Sequence, residues 1–330
     1  MIIVYFIYKL IYNNFNYIVK IFYNNAKIII SELLMEEINF TNSFNDTLYG
    51  HSWIIENPKF VLLIVTGMAE HSARYNDFAE FINSNGGNVY CLDHYGQGLG
   101  KNGELGNPGK DYFFKMEDTI NEFIKSLKRN FDSLPIYLFS HSMGSFVTQG
   151  YIEKYSNTLD KVVLCGTNGK SILYKLGYLV SLVIVHKNNV NKKANLLHSL
   201  SIGAYEKTIK NEFSKNAWIS FNKNNVINYD NDPFCGYVPT NGFYKEFLKG
   251  LSSIQKKENI KNISKNLKIL IIGGEYDAVS NNAKGLRSLQ KLYKKYGLNS
   301  KLVIYKNMRH EILNEEEHNK VYQDIIEFLG

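Results

Sequence analysis

Six short apolar runs restrict what this chain can fold into. They are Phe60-Val61-Leu62-Leu63-Ile64-Val65, Asn88-Val89-Tyr90-Cys91-Leu92-Asp93, Pro135-Ile136-Tyr137-Leu138-Phe139, Lys161-Val162-Val163-Leu164-Cys165, Leu267-Lys268-Ile269-Leu270-Ile271-Ile272 and Lys301-Leu302-Val303-Ile304-Tyr305. Each is too short for a helix, and the run at 60–65 is rich in β-branched residues. Most lack the polar alternation of a half-solvated strand, so they read as strands buried on both faces of a parallel sheet. Helical periodicity fills the gaps at 72–84, 114–131, 143–156, 281–296 and 315–329, and residues 36–57 read as two further strands joined at Asn45-Asp46. Strand alternating with helix is the pattern of a doubly wound α/β fold, a mostly parallel central sheet with helices on both faces. The rhythm breaks between 168 and 265, where helix-like segments occur without a buried strand. The expected organisation is one sheet domain, residues 35–167 and 266–330, with a helical cap inserted at 168–265.

The charge is modest. Thirty-eight basic against 31 acidic residues give +7, with no basic run interleaved with stacking aromatics, so nucleic acid is excluded as a partner. Contact with an anionic membrane surface stays open. Cys91, Cys165 and Cys235 are sparse and widely spaced, which argues against a disulfide framework or a zinc site and for a reducing, cytoplasmic setting, at most peripheral at the inner membrane surface. Residues 1–34 are mostly Ile, Tyr, Asn, Phe, Lys and Val. Lysines and asparagines interrupt every apolar run before the ~18 residues needed to cross a bilayer. No basic n-region or small-residue cleavage site marks a signal peptide. This segment is either an amphipathic membrane-surface element or, the preferred reading, upstream sequence read in frame before a natural start at Met35.

The chemistry points to one stretch, Phe139-Ser140-His141-Ser142-Met143-Gly144, between a buried strand and a helix. That is the setting of a nucleophile elbow, G-x-S-x-G, with Ser140 as a small substitute for the first glycine. Such a turn exposes the Ser142 hydroxyl and aims the Met143 N–H, at a helix N-terminus, towards a substrate oxygen. Serine needs a base, and the base needs an orienting carboxylate. On this kind of sheet the acid and the histidine follow the serine, after the last strands. Asp277 and His310 stand at those places. Glu275, two residues nearer its strand, is the rival acid. His141 is expected to point away from the serine and His318 to be solvated. His310-Glu311 fails the metalloprotease spacing because Asn314 occupies the last position. Gly96-Gln97-Gly98 lacks a Walker ending and reads as a loop beside the site. The second oxyanion donor is expected from the loop after 60–65, where Gly67 permits a close turn and Met68 supplies the N–H.

With these residues in place the sequence resembles the monoacylglycerol lipase and lysophospholipase branch of the α/β-hydrolases, grouped with S33 serine aminopeptidases. The branch's loop H-G-x-x-E-H-S-x-R-Y is matched from Gly67 through Tyr75, its D-x-x-G-x-G turn by Asp93, Gly96 and Gly98, and its elbow by Ser142-Met143-Gly144. Its acid and histidine segments are matched by Asp277-Ala278-Val279-Ser280 and by Arg309 to Glu315, and Asn231-Asp232-Pro233-Phe234-Cys235-Gly236 is similar to a segment of bacterial members. The chain departs from the pattern at Thr66, Ser140 and Gln97. The resemblance implies an α/β-hydrolase fold and a carboxylic ester hydrolase acting on a small lipid or ester, with no metal or organic cofactor. An aminopeptidase or thioesterase with the same triad, and a non-catalytic binding protein on the same fold, are the alternatives. The apolar stretch from Leu173 to Val185 is expected to line an acyl pocket, to touch a membrane, or simply to pack on the sheet.

Overall fold

A computed structural model describes residues 35–100, 104–209 and 212–330. The unusual segment 1–34, and both readings of it, lie outside the described residues. Eight strands, β1 (Met35–Thr41), β2 (Thr47–Trp53), β3 (Phe60–Val65), β4 (Gly87–Leu92), β5 (Ile136–His141), β6 (Lys161–Cys165), β7 (Lys268–Gly274) and β8 (Asn299–Tyr305), form one sheet in the order β1-β2-β4-β3-β5-β6-β7-β8. β2 runs antiparallel to both β1 and β4. The remaining neighbours pair in parallel.

The central strands divide their side chains by strict alternation, the period-2 rule of a pleated strand. Val61, Leu63, Val65, Ile136, Leu138, Val162, Leu164, Ile269 and Ile271 enter one core. Phe60, Leu62, Ile64, Tyr137, Phe139, Val163, Cys165, Leu270 and Ile272 enter the other. On the first face lie α2 (Tyr112–Asn130), α3 (Met143–Tyr155) and α10 (Lys284–Lys295), through residues such as Met116, Ile120, Val147, Ile152, Leu286 and Leu289. On the second lie α1 (Asn76–Ser84) and α11 (His318–Leu329), through Phe78, Ile82, Val321 and Ile325.

Between β6 and β7 the chain forms α4 (Ile172–Ile184), α5 (Asn195–Leu200), α6 (Ile202–Glu206), α7 (Lys223–Asn231), α8 (Asn241–Ser253) and α9 (Lys257–Ile260). This is the stretch where the strand rhythm is interrupted. α4 rests on α8. Its outer residues are open: Ile172 is 76% and Val183 83% exposed, and Leu173, Leu176 and Leu179 are exposed too. No α4 residue lines the cavity described below, so the expectation of an acyl pocket is corrected; the stretch does pack on the body of the protein, through Val185 in the core and through Tyr174, whose ring meets that of Phe146 at 6.0 Å.

Helix ends differ from the sequence pattern for local reasons. The expected helix at 281–296 begins only at Lys284, because Asn281, Asn282 and Ala283 all take positive φ, between 52° and 61°. The helix expected from 315 begins at His318, because Glu315 has extended backbone, φ −74° and ψ 161°, at the end of the tight turn Ile312–Asn314. The helix expected from 72 opens as a tight 3₁₀ turn, Ser72–Tyr75, before α1.

Candidate active site

The loops that leave the C-terminal ends of β3, β4, β5, β6, β7 and β8 meet at one rim of the sheet, where ligands bind in open α/β folds. Ser142 stands between β5 and α3 with φ 50° and ψ −119°. This is costly backbone for a non-glycine residue, and it lifts the side chain out of the sheet. The turn is held on both sides. The Ser142 N–H donates to the Cys165 carbonyl at 2.9 Å, and the Ser142 carbonyl accepts from the Ser145 hydroxyl at 2.6 Å. Gly144 is required by close approach, since a Cβ there would sit 2.4 Å from the carbonyl oxygens of Val65 and Thr66. Ser140 fits because its hydroxyl, although fully buried, donates to the Val163 carbonyl at 3.0 Å.

His310 leaves the loop after β8. Its Nδ1 lies 2.9 Å from Asp277 Oδ1. A carboxylate can only accept, so Nδ1 carries the proton and Nε2 is left as the acceptor. Nε2 has no protein partner among the described residues. Asp277 Oδ1 also accepts from the Val279 N–H at 2.9 Å, which fixes the carboxylate before it meets the imidazole. Glu275, the rival acid, has its N–H on the Tyr305 carbonyl in the turn that follows β7, and the carboxylate bonded to His310 is that of Asp277. Ser142, His310, Met68 and Met143 all line one cavity with Phe146, Tyr205, Trp218, Tyr229 and Phe247, so its walls are largely apolar and aromatic.

The loop after β3 ties down the amides on either side of Met68. The Gly67 N–H donates to Glu70 Oε1, and the Ala69 N–H donates to Gln97 Oε1 at 2.8 Å. The Met68 N–H between them takes no protein partner among the described residues. Met143 is the first residue of α3, where backbone N–H groups have no intrahelical acceptor. Gln97, one of the departures from the expected pattern, has a side-chain role here. The Gln97 amide also donates to the Gly67 carbonyl at 2.9 Å, bracing the loop from both sides. The carbonyl of Thr66 accepts from His94 Nε2 at 2.9 Å, and burial lowers that imidazole to about 4, which keeps it neutral. Asp93 accepts from the N–H groups of Ser72 and Leu99 at 2.6 and 2.8 Å. Burial pushes its carboxyl up to about 6 against those two bonds.

A buried charge network beneath the loop is absent from the sequence reading. Arg74 spans Glu70 and Glu311: Nη1 donates to Glu70 Oε2 and Glu311 Oε1, both at 2.9 Å, and Nη2 donates to Glu311 Oε2 at 2.7 Å. Glu70 Oε1 also faces the Tyr75 hydroxyl at 3.0 Å and His141 Nδ1 at 3.1 Å. Burial resists ionisation of Glu70, but His141, Arg74 and the Gly67 amide outweigh it and hold the carboxyl below its ordinary range. In the same way burial opposes a charge on His141, and Glu70 outweighs it and lifts that imidazole above its ordinary value. His141 turns its Nδ1 to Glu70, and its ring lies 4.7 Å from that of His310 and lines the same cavity. His318 is not simply solvated, since its Nδ1 bonds the Glu315 carbonyl at 2.6 Å.

His71, Asp232 and Cys235 bring three donor atoms within 4.8 Å of one another. His71 Nε2 and Asp232 Oδ2 already bond each other at 2.7 Å, and burial raises the Cys235 thiol well above its ordinary value. We read this corner as a hydrogen-bonded latch between the loop after β3 and the segment before α8.

A family model described as serine aminopeptidase, S33, matches residues 56–317. A probable lysophospholipase L2 of Haemophilus influenzae is 24% identical over 278 residues, 82% of this chain and 83% of that protein. A monoglyceride lipase homolog of monkeypox virus is 35% identical over 108 residues, 32% of this chain, and that match spans only 38% of the viral protein's length. Among solved structures, a thermostable carboxyl esterase from Bacillus coagulans in complex with glycerol superimposes with a TM-score of 0.81 at 24% identity, over 89% of this chain and 97% of that one. A soluble variant of monoglyceride lipase from Saccharomyces cerevisiae in complex with a substrate analogue gives 0.68 at 17% identity, over 89% and 94%. The model match spans the sheet, the elbow and the loops of Asp277 and His310, and the chain belongs to the serine aminopeptidase, S33, family of the α/β-hydrolases.

Proposed function

We propose that this chain is a serine hydrolase that cleaves carboxylic esters, with Ser142 as nucleophile, His310 as general base and acid, and Asp277 as the group that orients it. The observation that carries the reading is the bond from His310 Nδ1 to Asp277, which leaves Nε2 as an acceptor on a residue lining the same cavity as Ser142. His310 takes the Ser142 proton as Oγ attacks the ester carbonyl. The N–H groups of Met68 and Met143 receive the oxyanion, each worth about 2.7–4 kcal/mol in comparable sites. The alcohol leaves with the proton from His310. Water, deprotonated in turn by His310, attacks the acyl-enzyme and releases the acid and Ser142. Every step uses groups the chain itself supplies.

The apolar cavity and the names of the relatives favour a lipid ester, a monoacylglycerol or a lysophospholipid. The segment 168–265 acts as a cap on that cavity, contributing Tyr205, Trp218, Tyr229 and Phe247 to its wall. No described helix is long and apolar enough to cross a membrane, and the exposed residues of α4 suit contact with a lipid surface instead.

The test is labelling by a fluorophosphonate probe of wild type and Ser142→Ala. Wild type is expected to label and the variant not. A folded wild type that fails to label would sink the hydrolase reading. Turnover of a monoacylglycerol, a lysophospholipid, a short p-nitrophenyl ester and a proline amide then separates lipase, esterase and aminopeptidase.

A further inference from the structure

Resting on the Ser142–His310–Asp277 reading, we propose that Trp218 is a positioning residue for His310 and ties the orientation of the base to the seating of the cap. Its indole lies 5.3 Å, centre to centre, from the His310 imidazole, tilted by 33°. The backbone around it is registered against the histidine loop. The carbonyl of Ala217 accepts from Arg309 Nη1 at 2.6 Å. The carbonyl of Ile219 accepts from the Glu311 N–H at 2.7 Å. The residues on either side of Trp218 thus hold the residues on either side of His310. Ser220 extends the seam, its hydroxyl donating to Glu315 Oε2 at 2.8 Å.

The imidazole needs such a restraint. Asp277 fixes the Nδ1 end, but one hydrogen bond leaves the ring free to tilt about it, and proton transfer from a serine demands that Nε2 stay within hydrogen-bond reach. Gly166 makes room for the ring, since a Cβ there would come 2.8 Å from His310 Cε1. His141 packs on it from the sheet side of the sequence and Trp218 from the cap. The indole gains no hydrogen bond there: its Nε1 is buried without a protein partner among the described residues. Burying an unsatisfied donor is a cost, so the ring is held by packing, on His310 and on Tyr205 at 5.3 Å. A flat side chain is what the place requires.

The experiment compares Trp218→Ala, Trp218→Leu and Trp218→Phe with wild type in the full chain, using a short p-nitrophenyl ester for kcat and KM and the rate of fluorophosphonate labelling. Trp218→Ala and Trp218→Leu are expected to lose about tenfold or more in kcat and in labelling rate, the scale set by small misplacements of reacting groups. Their KM is expected to move far less, and Trp218→Phe to recover most of the loss. If Trp218→Ala does not fold, Trp218→Leu carries the test, because it fills more of the space than alanine while removing the flat ring. Unchanged kcat and labelling in a labelling-competent background, or a change confined to KM, overturns the role of Trp218 and leaves the serine reading intact. Failure of wild type itself to label overturns the reading on which the proposal rests.

Discussion

At the scale of single residues, the site is a set of close approaches that tolerate few side chains. Ser142 holds φ 50° with its own backbone pinned at both ends, its N–H on the Cys165 carbonyl of β6 and its carbonyl by the Ser145 hydroxyl. Gly144 lies against two carbonyl oxygens at what would be Cβ distances of 2.4 Å. Those oxygens belong to backbone, at the end of β3 and the residue after it, and cannot swing aside as a flexible side chain would. Gly144→Ala should therefore push the start of α3 away from β3, at an overpacking cost of about 1–3 kcal/mol. It should also carry the Met143 N–H off its line. The expected outcome is a lower midpoint in denaturant together with slower fluorophosphonate labelling. A variant with wild-type stability and labelling would show that the elbow is looser than these distances imply.

At the scale of elements, legibility followed chemistry. β3, β5, β6 and β7 could be read because both their faces are buried, so residues 61–65 and 269–272 are apolar without interruption. The candidate triad rests on chain order along the sheet: Ser142 follows β5 and Asp277 follows β7, both buried, while His310 follows β8, which is only partly buried. The start of α10 could not, since Asn281, Asn282 and Ala283 leave the helix by backbone conformation rather than by hydrophobic pattern. The Glu70–Arg74–Glu311 network stayed hidden because a charge in a sequence reads as surface, and Glu311 is brought to Arg74 only by the fold. Trp218 sits in a polar, aperiodic stretch that gives no helical or strand signal. Buried acids on the helices add a pH dependence that the sequence did not suggest either. Glu153 on α3 accepts from the Gln255 N–H at 2.6 Å, and burial pushes its carboxyl up to about 8 from 4.5. A folded value above the unfolded one means that the native state holds this proton more tightly. Stability from this group is therefore fullest below 4.5 and falls as pH rises towards 8, where the folded state also ionises. Glu70 and Glu311 act in the opposite sense: their depressed carboxyls stabilise above the ordinary range and lose that contribution as pH falls. Glu153→Gln keeps an acceptor for Gln255 and removes the titration. It should raise the Tm at pH 8.5 relative to wild type and change it little at pH 4.5. Equal differences at the two values would show that Glu153 ionises normally in the folded chain.

At the scale of the whole molecule, the sheet rim, the cap and the outer surface divide the work. The cavity is walled by residues of the rim and of the chain between β6 and β7, and α4 contributes nothing to it. α4 instead presents Ile172, Leu173, Leu176, Leu179 and Val183 to solvent, with Leu200 nearby in the sequence, at 65% exposure, on α5. Exposed apolar surface of this kind is unusual unless it meets something. The exposed Lys170, Lys175 and Lys187 flank or interrupt the stretch, and the chain is +7 overall. Apolar residues beside basic ones fit the headgroup region of an anionic bilayer, where burial of the side chains and attraction of the lysines add together. An ester hydrolase whose substrate carries an acyl chain gains from sitting where that chain is dissolved. The prediction is that full-length protein co-floats with vesicles containing anionic lipid, and that the double variant Leu173→Asn, Val183→Asn floats markedly less. Because neither residue touches the cavity, the variant should hydrolyse a short water-soluble ester at the wild-type rate and lose rate only on vesicle-borne substrate. Equal flotation of both proteins would remove α4 as the contact. A loss of soluble-ester activity would mean that the helix shapes the cavity from a distance, and the division between binding surface and reaction chamber would then have to be redrawn.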